Sequence, residues 1–433
     1  MTGLSRPQPL GVLPLPAGWL VVPADVATRA EAADAVRRLL GGHLPTPWPA
    51  ELEALRLAAS GDVDAAAALV DPEAGPEHAY NHFVLTGEVS SLELARAGAA
   101  DDLAALVDVA AFALGHGDRL PDVTPEGPDG EVAAHVLTAH AAARLEQGDP
   151  QGALDALVTA EERARPVSSV LAATLLGQQA ALLQQVNGAD QDVVAAYREA
   201  VDALRGADAV ETAAGELALG LATALQELAT NAGPGGNGFL VEAVQAYHLA
   251  LRWLRKDSQP ERYAFAHSNL ALAYLAMPMV ADRDKLRRGV AVQSLREALT
   301  YYTREQHPRE WASITLNLAN ALQHLPTTHP VENLIEAVGM YEELLVVRTA
   351  QSDPLGHARV LANQGTALGH LGIHDQARPK LLAAQAIFAE HGDDAAVVTV
   401  RTALADIDAA VGGASSGTGT AAGVAVGAVA GEG

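Results

Sequence analysis

The chain has 433 residues, of which 49% are hydrophobic and only 4% aromatic. This length is too great for one compact helical bundle, and the abundance of alanine with few aromatic residues favours closely packed helices over a sheet. The formal net charge of −25 argues against nucleic acid as the main partner, and the absence of cysteine excludes disulfides, thiolate metal sites and a cysteine nucleophile.

The first 44 residues are predicted to form an extended arm followed by a first helix. Five prolines between positions 7 and 23 exclude one continuous helix there. The apolar stretch 10–22 contains two of these prolines and follows a single basic residue, so it does not resemble a secretory signal. No stretch reaches the roughly 18 consecutive apolar residues of a membrane-spanning helix. The sequence therefore predicts a soluble, cytoplasmic protein.

Residues 45–118 also have a helical pattern, with a Gly61-Asp62 turn between two helical stretches. The same arrangement occurs at Gly148-Asp149. The region 45–118 is therefore predicted to consist of degenerate repeats or a cap. Residues 119–130 are rich in Pro, Gly and Asp, and we predict that they link this region to residues 131–410.

Internal repetition is clearest within residues 131–410. Three segments share the pattern Pro-x-x-x-Ala-x-x-x-x-Asn, in which the proline leads the asparagine by nine positions: Pro260 and Asn269, Pro308 and Asn317, Pro354 and Asn363. Proline suits the first turn of a helix, where its missing N–H would have no partner in any case. Each copy of the pattern therefore predicts a helix that begins at the proline.

A second helix is predicted after each of the first two asparagine helices. The segment 240–247 matches 334–341, and the shared alanine defines a series of anchor positions: Ala153, Val193, Ala243, Ala291, Ala337 and Ala377. These positions are 40, 50, 48, 46 and 40 residues apart. The spacing exceeds the about 34 residues of a minimal tetratricopeptide unit. It leaves room for long loops, which we predict at the glycine- and proline-rich stretches 231–238 and 277–284.

The predicted fold is all-α, a right-handed α-solenoid of helix-turn-helix repeats. One helix pair cannot bury its apolar stripe alone, whereas stacked pairs form a continuous core. Ala271 and Ala319, two positions after the asparagine, are expected where helices cross closely. Residues 411–433 are mostly Gly, Ala, Ser, Thr and Val without periodicity, and they are predicted to form a disordered tail.

The segment from about 149 to 390 resembles tetratricopeptide repeats. The Pro-x-x-x-Ala-x-x-x-x-Asn-Leu-Ala pattern is similar to the long-helix variety found in kinesin light chains and in bacterial proteins that carry such repeats beside caspase-like domains. The third copy departs from it, with Gln364-Gly365 in place of Leu-Ala. Only three of the 28 basic residues are lysine, a bias typical of GC-rich bacterial genomes.

In tetratricopeptide repeats the first helices line a concave groove. The resemblance therefore implies that Asn269, Asn317 and Asn363 hydrogen-bond the backbone of a bound peptide, since an amide offers both a donor and an acceptor. The alternative is that each asparagine ties its own helix to a neighbouring loop.

Basic residues concentrate between positions 251 and 310, where eleven basic and seven acidic residues give +4. Because arginine binds carboxylates in a bidentate geometry, Arg262, Arg296 and Arg304 are predicted to contact an acidic partner segment. The alternative is a solvated surface with ion pairs that contribute little.

Two histidine pairs have metal-like spacing, and we favour a structural role for both. His78 and His82 lie four apart on a predicted helix, but no glutamate general base lies between them. Gly372 interrupts the helix between His370 and His374. The chain has no phosphate-binding loop and no Gly-x-Ser-x-Gly motif. We therefore expect no metal, no cofactor and no catalysis.

The sequence thus predicts a non-catalytic scaffold that binds a protein or peptide in a groove, without a nucleic-acid or membrane partner. One alternative is an assembly or maturation chaperone, or a structural subunit of an enzyme complex. Another is an effector-sensing regulatory protein, although no basic DNA-binding segment is present.

Overall fold

The computed structural model describes residues 4, 6–12, 14–15, 18–123, 128–278, 284–325 and 329–416. The chain divides into two compact units, Met1–Leu254 and Arg255–Gly433. This division lies inside the predicted repeat region 131–410, and not at the predicted linker 119–130. The reason is that the N-terminal residues pack on the first repeats and share their unit.

The first unit begins with two short antiparallel strands, β1 (Pro14–Leu15) and β2 (Gly18–Trp19). The next helices along the chain are α1 (Ala24–Ala27), α2 (Ala30–Leu40), α3 (Glu53–Ala59), α4 (Val63–Ala68), α5 (Pro76–Thr86), α6 (Val89–Gly98) and α7 (Asp101–Ala113). Helix pairs complete the unit: α8 (Gly130–Glu146) with α9 (Pro150–Ala164), α10 (Ser169–Asn187) with α11 (Gln191–Ala203), and α12 (Glu211–Ala232) with α13 (Asn237–Trp253).

The second unit continues the same arrangement of helix pairs. Its helices are α14 (Pro260–Ala276) with α15 (Asp284–Ala298), α16 (Pro308–Gln323) with α17 (Pro330–Val347), α18 (Pro354–His370) with α19 (His374–Glu390), and α20 (Asp394–Ser416). From α3 to α13 and from α14 to α20, consecutive helices contact one another, and α18 also contacts α16 and α20. The predicted all-α fold of stacked helix-turn-helix repeats is confirmed.

The predicted helix starts are confirmed at each of the three repeat prolines. Pro260, Pro308 and Pro354 are the first residues of α14, α16 and α18. Aspartate caps other helices: Asp190 Oδ1 accepts the backbone N–H of Val193 at 2.8 Å. Such caps satisfy a donor that the first turn of a helix leaves without a partner.

The predicted anchor residues form the contact between the helices of the stack. All six lie on second helices and are at most 2% exposed: Ala153, Val193, Ala243, Ala291, Ala337 and Ala377. Ala271 and Ala319, on the first helices, are fully buried, as expected for positions where helices cross closely. Small side chains at these positions let the helix backbones approach.

The predicted long loop at 231–238 is wrong, because a tight turn replaces it. Helix α12 continues to Ala232, a 3₁₀ turn spans Gly233–Gly236, and α13 begins at Asn237. Gly233 adopts φ of 57°, and a Cβ atom on Gly236 would overlap Ala229. The glycines therefore allow a sharp reversal against the preceding helix. At the other predicted loop, residues 279–283 lie outside the described residues.

The N-terminal residues lie over the first repeat helices. Glu131 Oε1 accepts the Gln8 backbone N–H at 2.7 Å, and the Trp19 and His135 ring centroids are 4.3 Å apart. Farther along, the Gly42 carbonyl accepts the Ala209 N–H at 2.9 Å. These contacts hold the segment to α8 and to the residues that precede α12.

At the C-terminus, α20 runs to Ser416, beyond the start of the tail predicted at 411. The helix is held by Val400, Ala403 and Ile407, which are buried in the last core cluster. Residues 417–433, the rest of the predicted tail, lie outside the described residues. Among the described helices, none has both the length and the apolar character required to cross a membrane.

Candidate functional site

The three aligned asparagines lie on consecutive first helices of the second unit. Because α14, α16 and α18 each begin at their proline, Asn269, Asn317 and Asn363 occupy equivalent, half-buried positions. Asn320 is three positions after Asn317 and therefore lies on the same side of α16. We call these four residues the amide face.

A hydrogen-bond network across three helices includes two members of the amide face, Asn320 and Asn363. Asn363 Nδ2 donates to Asn320 Oδ1 at 2.9 Å, and the Tyr341 hydroxyl donates to the same oxygen at 2.7 Å. Gln323 Nε2 donates to the Tyr341 hydroxyl at 2.6 Å and to the Asn363 carbonyl at 3.2 Å. Burial raises the pKa of Tyr341 above its ordinary value. Asn363 is thus tied to the neighbouring first helix α16 and not to a loop.

The other two asparagines keep more of their hydrogen-bonding capacity. Asn269 Nδ2 donates to the carbonyl of Phe265 in its own helix at 3.0 Å, which leaves the amide oxygen available. The Asn317 side chain makes no hydrogen bond to any described residue. A half-buried amide in this state has two donors and an acceptor that only solvent or a ligand can satisfy.

Arg359 extends the amide face, and the sequence analysis missed it. It lies four residues before Asn363, on the same side of α18. Its Nε atom is buried without a hydrogen-bond partner, and it forms no ion pair with a described carboxylate. The sequence signal that could have identified Arg359 was its position five residues after Pro354. Phe265 and Ser313 occupy the equivalent position on the neighbouring first helices. Both equivalents are exposed.

The predicted arginines do not lie together on this face. Arg296 belongs to the second helix α15 and forms an ion pair with Glu336 of α17 at 2.8 Å. Arg304 follows α15, with its guanidinium carbon 5.6 Å from the centre of the Trp311 ring. Only Arg262, exposed in the first turn of α14, belongs to a first helix that carries an asparagine.

Other residues of the basic window 251–310 also have partners within the protein. Lys256 Nζ lies 2.6 Å from Glu297 Oε1, and this carboxylate raises the pKa of Lys256. Arg288 donates to the His324 carbonyl at 2.7 Å. Arg283 and the Lys285 side chain lie outside the described residues. Partners of this kind reduce the capacity of the window to bind a carboxylate.

Two histidines occupy the far end of the same first helices. His324 and His370 are each sixteen residues after their proline, and His370 ends α18. Burial lowers the pKa of His324, and its proximity to Arg288 and His370 lowers it further.

The candidate metal histidines have protein partners or lie on different helices. His78 Nε2 is 3.3 Å from Asp25, and His82 Nδ1 is 2.8 Å from the Ser91 hydroxyl. His370 ends α18 and His374 begins α19, with Gly372 at φ of 75° between them. Across the ranges that the structure describes, no three His, Asp or Glu side chains are arranged to hold a metal ion.

Among solved structures, the matches described below have low sequence identity and low TM-scores. No protein-family model matches the chain, and no curated protein does so. The crystal structure of BtubC (BKLC) from P. vanneervenii is 21% identical, with 60% of this chain and 92% of that chain covered and a TM-score of 0.37. A Rap protein complexed with Competence and Sporulation Factor is 13% identical, with 83% and 96% covered and a TM-score of 0.38.

The TPR2AB domain of yeast Sti1, in a complex with pHSP90, is 16% identical, with 64% of this chain and 98% of that chain covered and a TM-score of 0.25. Matches of this strength carry no information about function. The helix pairs described above, which begin at the repeat prolines and pack through the anchor alanines, give this chain the fold of a tetratricopeptide-like helical repeat.

Proposed function

We propose that the chain is a non-catalytic interaction scaffold whose amide face binds an extended segment of another protein. The observation that carries the proposal is Asn317. It is a half-buried amide without a partner among the described residues, and it lies between two first helices whose asparagines occupy equivalent positions. An extended peptide exposes backbone N–H and C=O groups that such amides can pair with.

The preferred partner segment is acidic. Arg359 places a guanidinium four residues from Asn363, without a described carboxylate to neutralise it. Arginine offers donors in a planar fork that fits a carboxylate, and such charge-assisted hydrogen bonds are stronger than neutral ones. A glutamate or aspartate of the partner would satisfy Arg359 while the partner backbone pairs with Asn317.

Photo-crosslinking in the native cell tests where the partner binds. A photoreactive residue at Ser313, exposed on α16, is compared with one at Gln376, exposed on the second helix α19. We expect Ser313 to crosslink to an acidic segment of one partner and Gln376 to give no such product. Equal crosslinking from both positions would place the contact elsewhere.

A synthetic peptide of the crosslinked segment then tests the individual side chains by fluorescence anisotropy. We expect Asn317→Ala and Arg359→Gln each to weaken binding about tenfold, the usual cost of losing a hydrogen bond to a partner. Gln376→Ala is the matched amide control and keeps wild-type affinity. Arg262→Ala, Arg296→Ala and Arg304→Ala measure what the predicted arginines add. Unchanged affinity in both Asn317→Ala and Arg359→Gln contradicts the proposal.

A further inference from the structure

Phe265 is an exposed aromatic side chain beside the amide face. It occupies on α14 the position that Ser313 and Arg359 occupy on the next two first helices, five residues after the proline. Each of the three precedes the asparagine of its helix by four residues and therefore lies on the same side of the helix. Phe265 is 40% exposed, and among the described residues of α14, α16 and α18 no other large hydrophobic side chain is exposed. The protein thus keeps one apolar ring at the proposed binding surface.

The packing of the first helices sets the separation between Phe265 and Arg359. Residues of α14, α16 and α18 belong to one core cluster, and α16 and α18 are in direct contact. The axes of packed helices lie about 8–10 Å apart, so the two helix-to-helix steps from α14 to α18 span about 16–20 Å. Because an extended chain advances about 3.3 Å per residue, about six residues of a partner segment cover that distance.

The direction of side chains in an extended segment makes this spacing selective. Successive side chains point to opposite faces, so residues six apart both face the protein, whereas of two residues five or seven apart one faces away. Midway along the span the segment crosses α16, where the Asn317 side chain makes no hydrogen bond to any described residue. One extended segment can therefore contact Phe265, Asn317 and Arg359 together.

We propose that the partner segment carries an apolar side chain that packs on Phe265 and a carboxylate that pairs with Arg359, about six residues apart. This inference rests on the proposed function and adds the feature that selects one acidic segment among many. A guanidinium pairs with any accessible carboxylate, so Arg359 alone discriminates little. Phe265 supplies the discrimination, because covering an exposed aromatic ring removes apolar surface from water.

Selection of displayed peptides by the full chain tests the proposal without prior identification of the partner. The probe is a library of fifteen-residue peptides with glutamate fixed at the central position and all other positions random. We expect the selected peptides to be enriched in leucine, isoleucine, methionine or phenylalanine six positions from the glutamate. A library with lysine at the central position is the control and should not give this enrichment. A different spacing, or no preferred position for the apolar residue, would overturn the proposal.

A double-mutant cycle locates the apolar contact. One selected peptide, and its version with alanine in place of the apolar residue, are titrated against the wild type and Phe265→Ala by fluorescence anisotropy. We expect either change alone to weaken binding about tenfold and both together to weaken it no further, since they remove the same contact. Phe265→Leu should retain most of the affinity. Ile335→Ala, which alters an exposed side chain of the second helix α17, should keep all of it. Additive losses would show that Phe265 does not hold the apolar residue.

Asn317→Ala and Arg359→Gln separate this inference from the proposed function. If both weaken binding of the selected peptide while Phe265→Ala does not, the acidic segment binds as proposed and the apolar contact is wrong. If neither weakens it, the peptide binds elsewhere and both proposals fail. Far-ultraviolet circular dichroism checks that each variant is folded.

Discussion

His135 is a buried ionisable side chain that makes the stability of the first unit depend on pH. It is 8% exposed, lies against Trp19, and neither ring nitrogen has a hydrogen-bond partner among the described residues. Burial lowers the pKa of His135 from 6.5 to about 4, because the charged ring would lose its hydration. The folded protein therefore holds this histidine neutral under conditions in which the unfolded chain protonates it.

This histidine makes the first unit sensitive to acid. Since the folded pKa lies below the unfolded value, its contribution to stability is complete above pH 6.5 and is lost as the pH falls towards about 4. We expect a loss of about 3 kcal/mol over that window, since a tenfold change in proton affinity corresponds to about 1.4 kcal/mol. Urea unfolding followed by tryptophan fluorescence at several pH values measures it.

His135→Phe should remove this component, whereas His391→Gln, which changes an exposed histidine, should keep the wild-type pH dependence. If His135→Phe loses stability over the same pH window as the wild type, other groups are responsible for the acid sensitivity.

Gly365 explains why the third repeat departs from the Asn-Leu-Ala pattern. It occupies the position of Ala271 and Ala319, eleven residues after the proline. A Cβ atom here would lie 2.7 Å from Leu381 Cγ and 3.1 Å from the Ala377 carbonyl, so α18 and α19 cross more closely than alanine permits. We expect Gly365→Ala to lower the free energy of unfolding by about 1–3 kcal/mol.

The matched control is Gly339, in the middle of α17 with open space where a Cβ atom would lie. Gly339→Ala should raise the free energy of unfolding by about 1 kcal/mol, because alanine is the better helix former. Urea unfolding of both variants by circular dichroism gives the comparison. Equal effects of the two substitutions would show that the close approach of α18 and α19 does not restrict the size of the side chain at position 365.

Among the helices, the tyrosine that follows the anchor alanine by four residues ties the stack together. Tyr341 of α17 bonds to Asn320 and Gln323 of α16, and Gln323 reaches Asn363 of α18. In the first unit, the equivalent Tyr247 donates to Gln226 of α12 at 2.8 Å. A buried hydroxyl thus pairs with amides of the neighbouring first helix in both units.

Tyr341→Phe should lower the free energy of unfolding by about 1–2 kcal/mol, because it removes bonds from buried amide groups. The control is Tyr302→Phe, since Tyr302 is also a buried residue but its hydroxyl has no hydrogen-bond partner among the described residues. Tyr302→Phe should lower the free energy of unfolding by less than about 0.5 kcal/mol. The same urea titration compares them, and an equally small effect of Tyr341→Phe would show that the network adds no stability.

For the molecule as a whole, the net charge of −25 opposes the approach of an acidic partner. Salt screens this repulsion over distances beyond about 10 Å, while the contact at Arg359 is local. If the proposed acidic segment binds, its association rate should rise severalfold as ionic strength increases from about 0.01 to 0.15 M. Stopped-flow fluorescence with the labelled peptide measures this rate. A rate that falls with salt would indicate that local attraction controls the encounter.

Much of the fold could be predicted from local patterns in the sequence. The three prolines predict helix starts because proline suits the first turn, and the anchor alanines predict buried second helices because a small side chain is needed where helices cross. Both features depend on residues a few positions apart. The resemblance to tetratricopeptide repeats implied a groove side for Asn269, Asn317 and Asn363, and their use in binding stays a prediction.

The remaining features depend on contacts between residues far apart in the chain, and only the tertiary structure decided them. Arg296 pairs with a glutamate forty residues away, and Asn363 bonds to Asn320 on another helix. The placement of the N-terminal segment against α8 and the tight turn at Gly233–Gly236 likewise depend on how the helices stack. So does the position of Arg359, whose Nε atom has no hydrogen-bond partner among the described residues. Local sequence encodes which residues form helices and which positions are small, but the neighbour of each polar side chain is set by packing geometry.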